Sequence, residues 1–152
     1  MKYVEALNTP PIKGKAIFLA GGITGCPDWQ QEMCILLNDS DLTLLNPRRA
    51  DFPIGDPNAA KEQIEWEYKY LYQASAILFW FPYETLCPIV LYELGAWSKT
   101  NKTIFVGTHP DYKRKQDVEI QLSLSRPKVK IVSSIEHLAI QVVRWEVQHE
   151  TQ

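Results

Sequence analysis

The sequence predicts a doubly wound α/β domain built on five parallel strands in the order 2-1-3-4-5, with helices on both faces. Ala76-Ile77-Leu78-Phe79-Trp80-Phe81 is a run without a charge, the pattern of a strand buried on both sides in a parallel sheet. Strands and helices also alternate along the chain, which puts helices on the crossovers of a parallel sheet. The length of 152 residues suits one domain with a sizeable core. In the order 2-1-3-4-5 the loops after strands 1 and 3 lie side by side where the strand order reverses, and ligands of open α/β sheets bind there.

The elements follow in order. Residues 1–14 read as a polar, proline-containing arm, loosely held. Ala16-Ile17-Phe18-Leu19-Ala20 is the first strand, and Gly21-Gly22-Ile23-Thr24-Gly25 follows at once. Glycines there allow a sharp turn and close approach to a ligand. Two readings stand: a tight strand-to-helix turn, or a phosphate-binding loop that lacks the GxGxxG pattern. Asp28 is a good N-cap for a helix running to about Asn38, with Met33, Leu36 and Leu37 buried. Leu42-Thr43-Leu44-Leu45 is the second strand. Asn46-Pro47-Arg48-Arg49-Ala50-Asp51-Phe52-Pro53 is a stiff cationic loop at the ligand end. Its arginines either bind substrate or anchor the loop to a carboxylate.

Ala59 to Gln73 predicts a helix with Ile64, Glu67 and Leu71 on one face and Tyr68 beside them. Glu65 lies elsewhere, four before Lys69, in the order that suits a solvated ion pair. Periodicity therefore turns Glu67 inward, either as a hydrogen-bonded boundary residue or as a functional acid. The charge-free strand comes next, then Pro88 to Trp97. Read as a helix, this segment puts Ile89, Val90 and Trp97 on the face of Glu93. A carboxylate in an apolar stripe is costly to desolvate without a partner or a role. Thr103-Ile104-Phe105-Val106-Gly107 is the fourth strand, Asp117 to Ser125 a short helix, and Val129-Lys130-Ile131-Val132 the fifth strand. Ser133 with Glu136 reads as a capping box for the last helix, Ile135 to about Gln148. Its expected apolar set is Leu138, Ile140, Val143 and Val147, with Trp145 beside them.

Composition narrows the class. The formal net charge is -2, so no basic excess exists to hold a nucleic-acid backbone. No apolar run approaches the ~20 residues of a membrane span, and Met1 to Pro11 has no signal-peptide core. Cys26, Cys34 and Cys87 read as reduced thiols of a cytoplasmic protein. His109, His137 and His149 form no cluster, so no metal site is expected.

Two inward carboxylates flanking one strand are the minimal kit for cleaving a glycosidic bond. One attacks or stabilises the anomeric carbon, and the other manages the leaving group's proton. Phe52, Trp66, Tyr68, Trp80 and Trp97 would either stack on a planar base or fill the core.

These residues resemble a known family. Ile17-Phe18-Leu19-Ala20-Gly21-Gly22, the stretch from Glu67 through Gln73-Ala74-Ser75-Ala76-Ile77, and Tyr92-Glu93-Leu94-Gly95-Ala96 look like the nucleoside 2-deoxyribosyltransferases. Asn46-Pro47-Arg48-Arg49 looks like a subgroup of them. The likeness spans roughly Ala16 to Val106 and is most specific at Tyr-Glu-Leu-Gly. It implies a flavodoxin-like fold, no cofactor, and a nucleotide-salvage enzyme that exchanges the nucleobase of 2′-deoxyribonucleosides through a covalent glycosyl-enzyme. It also implies homo-oligomers whose sites a neighbouring subunit completes.

Carried over residue by residue, the resemblance makes Glu93 the nucleophile at C1′. Glu67 takes the place of an aspartate that exchanges a proton with the base. Phe18 takes the place of a tyrosine that holds the nucleophile, leaving Tyr92 or Tyr68 as candidate donors to Glu93. Cys87 stands where a second base-side aspartate is usual, with Glu84 as a possible substitute. Gly21, Gly22, Ile23, Phe18, Arg48, Arg49 and Phe52 are the expected substrate contacts, and Ser123 or Ser125 the polar residue reaching a neighbour's site. Two alternatives remain: hydrolysis of deoxynucleoside 5′-monophosphates, with the glycine loop on the phosphate, and a non-catalytic nucleotide-sensing module.

Overall fold

The structure, a computed structural model, describes residues 1–148; His149 lies outside them. Its single sheet has six strands, all parallel: β1 (Lys2–Glu5), β2 (Ala16–Gly21), β3 (Thr43–Asn46), β4 (Ala76–Phe81), β5 (Thr103–Thr108) and β6 (Ile131–Val132). Their spatial order is β1-β3-β2-β4-β5-β6. The last five reproduce the expected 2-1-3-4-5 order, so the flavodoxin-like class holds with one strand more than the sequence predicts. The supposed loose arm supplies that strand. Lys2 pairs with Thr43 and Glu5 with Asn46 at the sheet edge. Of β1 only Val4 is buried; the backbone ladder holds it, not an apolar pattern that a sequence would display.

Five helices cover the faces: α1 (Trp29–Leu36), α2 (Pro57–Gln73), α3 (Pro88–Trp97), α4 (Lys115–Ser125) and α5 (Ile135–Gln148). Alternation along the strands divides the core in two. Phe18, Ala20, Ile77, Phe79, Phe81, Ile104 and Val106 pack beneath α2, α3 and α4, while Ile17, Leu19, Leu78, Trp80 and Phe105 pack against α1 and α5. Asp28 caps α1 by accepting from Gln31 N at 3.1 Å. Asp56 caps α2, with Pro57 at its first position, where a missing N–H costs nothing.

Three stripes differ from expectation. In α1, Leu36 is exposed, and Trp29, Met33 and Cys34 are buried, with Leu37 buried at its end. In α2 the buried set is Ala59, Trp66, Tyr70 and Leu71, while Ile64 and Tyr68 are exposed. In α5, Ser134 rather than Ser133 caps the helix, its Oγ accepting from His137 N at 3.2 Å. The buried face of α5 is correspondingly Leu138, Ala139, Val142 and Glu146, and Ile140, Val143 and Val147 are exposed. Glu146 is buried because it has work there: its Oε1 accepts from Asp41 N at 2.8 Å, joining α5 to the start of β3.

Candidate active site

The carboxyl ends of β2 and β4 open into a cleft of about 400 Å³ between α2 and α3. Phe18 and Ala20 on β2 form its floor. Gly21, Gly22, Ile23 and Thr24 form one wall, and Pro47 and Phe52 cover a side. From α2 come Ala60, Gln63, Ile64 and Glu67; from the approach to α3 and α3 itself come Thr85, Cys87, Pro88, Ile89, Val90 and Glu93. Glu67 and Glu93 thus line one space. Its lining holds no Lys, Arg or His.

The two glycines are demanded by packing. A β-carbon on Gly21 would collide with the Trp29 ring, and one on Gly22 would lie 2.7 Å from Pro82 Cγ, 3.0 Å from Cys26 Sγ and 3.1 Å from Cys87 Sγ. The Gly22 carbonyl accepts from Trp29 Nε1 at 2.9 Å and Gln30 Nε2 at 3.2 Å. The loop is therefore a turn clamped onto α1, and its clamping brings the backbone to the cleft.

The carboxylates are electrostatically poised. Burial, and then the charge of Glu67, push Glu93 up to about 8. Burial also raises Glu67, and the Gln63 amide partly counters it. Two buried carboxyls in one space hold a proton to higher pH than a free carboxylate would. Gln63 Nε2 donates to Glu67 Oε1 at 2.8 Å and to the Pro47 carbonyl at 2.8 Å. Among the described residues no group donates to Glu93. Tyr92 and Tyr68, the candidate donors, are 78% and 65% exposed.

The other predicted residues scatter. The Arg48 side chain donates to the Cys26 and Pro27 carbonyls at 3.0 and 2.9 Å and to Gln30 Oε1 at 3.2 Å, and it pairs with Asp28 at 3.8 Å. Arg48 is the loop anchor. Arg49 sits over the Phe52 ring, 5.4 Å from its centroid. Neither arginine lines the cleft. Ser123 and Ser125 donate to the Ile120 and Gln121 carbonyls of their own helix, away from this chain's cleft. Trp80 packs on the opposite sheet face, and Trp97 meets Tyr72 edge-on at 4.8 Å. The apolar walls are instead Phe18, Ile23, Phe52, Ile64, Ile89 and Val90. Glu84 is exposed and outside the lining; Cys87, in a left-handed backbone conformation with φ 50°, is within it. Gln63 was missed, though its spacing of four before Glu67 was visible. Among the described residues no group of His, Cys, Asp and Glu is placed to hold a metal ion, and no helix is long and apolar enough to cross a membrane.

Compared with known proteins, residues 14–112 match the family model described as nucleoside 2-deoxyribosyltransferase like. That stretch runs from just before β2 to just past β5 and contains the whole cleft lining. No curated protein matches the chain.

Proposed function

Because the chain belongs to the nucleoside 2-deoxyribosyltransferase-like family, we propose that it moves 2-deoxyribose from one nucleobase to another through an ester on Glu93. The observation that carries this reading is that Glu67 and Glu93 line one cleft with mostly apolar walls and no cation, where burial raises both carboxyls and favours their keeping a proton. One proton and one charge are what the reaction needs. An oxygen of Glu93 bonds to C1′, the C1′–N bond breaks with its electrons going to the base, and Glu67 gives that base a proton. A second base then attacks C1′ through nitrogen, returns its N–H proton to Glu67, and frees Glu93. Positive charge developing at C1′ favours the ionised Glu93 and sends the proton to Glu67 and the base.

The lining also bears on the substrate. A 5′-monophosphate would enter a cleft carrying net negative charge with no Lys, Arg or His to meet it, an arrangement that repels a dianion. A neutral nucleoside avoids this cost. Apolar walls favour capture of the ester by a second flat base over capture by water. Incubation with thymidine and adenine tests the reading: new deoxyadenosine supports transfer. Free thymine and free sugar as the main products at saturating adenine refute it and turn attention to hydrolysis, including that of 5′-monophosphates.

A homo-oligomer belongs to the same proposal. Ile64, Tyr68, Tyr72, Ile89 and Tyr92 are exposed on α2 and α3, around and beyond the cleft mouth, a concentration of large apolar groups that suits a covered face. A second copy seated there would close the cleft and bring a polar residue such as Ser123 or Ser125 to its neighbour. Light scattering on the purified protein reads the mass; a monomer at micromolar concentration rejects the idea.

A further inference from the structure

We propose that Gln63 is a positioning residue that fixes the proton of Glu67 on the oxygen left for the departing base; the proposal rests on the glycosyl-transfer reading above. The geometry is specific. Gln63 Nε2 makes both bonds of the amide, to Pro47 O and to Glu67 Oε1, each 2.8 Å. Its orientation is forced, because the Pro47 carbonyl can only accept, so the NH₂ end must face it. Glu67 Oε1 is thereby occupied as an acceptor. In a neutral acid the carbonyl oxygen accepts better than the hydroxyl oxygen, so the bond from Gln63 to Oε1 favours the proton on Oε2.

That proton then goes to a ring nitrogen of the base as the C1′–N electrons return to the ring, leaving Glu67 as a carboxylate. Gln63 stays bonded to Oε1 and stabilises that carboxylate. The anchor matters equally. Pro47 belongs to the wall that carries Phe52, so one amide ties the acid on α2 to the loop over the cleft. Packing alone does not account for the residue. Gln63 Oε1 is buried without a partner, a desolvation cost that an apolar side chain of similar length would avoid.

Gln63→Met, with Gln63→Leu as a second variant of different shape, separates positioning from structure. Carbon-13 NMR titration of the Glu67 carboxyl is the first readout, its signal identified by its loss in Glu67→Gln. Removing the amide donor should raise the Glu67 midpoint, since that donor favours the charged form; an unchanged midpoint overturns the proposal. The second readout is kcat across donors with bases of different leaving ability. Poor leaving bases should lose at least about tenfold, out of the roughly 10²–10⁴ that general acid catalysis supplies. Good leaving bases should stay near wild type with KM little changed, and the alkaline limb of the pH profile should move up. A uniform loss with an unmoved limb overturns the proposal. Wild-type protein inert toward every donor overturns the transfer reading instead, and the titration still decides whether Gln63 governs the Glu67 proton.

Discussion

Glu67 on α2 and Glu93 on α3 face one cleft, and the charge of the first adds to burial in holding the second at about 8. In the proposed transfer the pair works with a single proton. Base exchange should therefore follow a bell-shaped pH profile, falling on the alkaline side as the last proton leaves near 8. Initial rates measured in overlapping buffers check this. A rate that keeps climbing past pH 9.5, well above that value, would contradict the shared proton.

Glu93→Ala should abolish transfer, since loss of a covalent nucleophile costs several orders of magnitude. Chromatographic assay of nucleobase exchange reads it, and near-normal turnover would remove Glu93 from the nucleophile's place.

Glu93→Gln should stabilise the fold, with a defined pH signature. The carboxyl is raised from 4.5 to about 8 in the folded chain. Its contribution is thus fully present below pH 4.5 and is lost as pH rises through the folded value. The variant should match wild type in Tm at acid pH, and its advantage should widen from 4.5 and level off above 8. Calorimetric scans across that range test this; a constant offset would assign the effect to something other than ionisation.

Gly22→Ala should cost about 1–3 kcal/mol, the usual penalty for overpacking. The new methyl meets Pro82, Cys26 and Cys87 together, and two of these neighbours belong to the cleft wall or its loop. Urea unfolding measures the loss. A variant as stable as wild type would show that the loop yields more readily than its contacts imply.

Lys102→Met should destabilise by about 1–3 kcal/mol. Lys102 Nζ donates to the carbonyls of Leu71, Tyr72 and Ala74 at 2.7, 2.7 and 2.8 Å, closing the C-terminal end of α2 beside the Trp97 ring. The same unfolding experiment reads it, and no change would mean that water serves those carbonyls equally well.

The sequence by itself determined the layered α/β architecture, the order of five of the six strands, and the two carboxylates. The reason is physical. A charge-free β4 has to be buried on both faces, and a glutamate at the helical spacing of apolar neighbours has to face what they face. Glu67 and Glu93 were legible because a carboxylate that is costly to desolvate stands out at the spacing of apolar neighbours; Glu146 was not, because the α5 stripe is turned from the expected one.

Tertiary structure decided the rest, because register and rotation are not written in single residues. Phe18 pairs with Ile77, and that register sends Phe79 and Phe81 toward the cleft side and Trp80 to the other. Choosing Ser134 over Ser133 as cap accompanied an α5 stripe turned away from the expected one. Edge strand β1 exists because β3 offers it a ladder, which its own residues do not announce. Arg48 became an anchor only when folding brought the carbonyls of Cys26 and Pro27 within reach of its guanidinium. A side chain's partners are set by the fold, whereas its need for a partner is set by its chemistry.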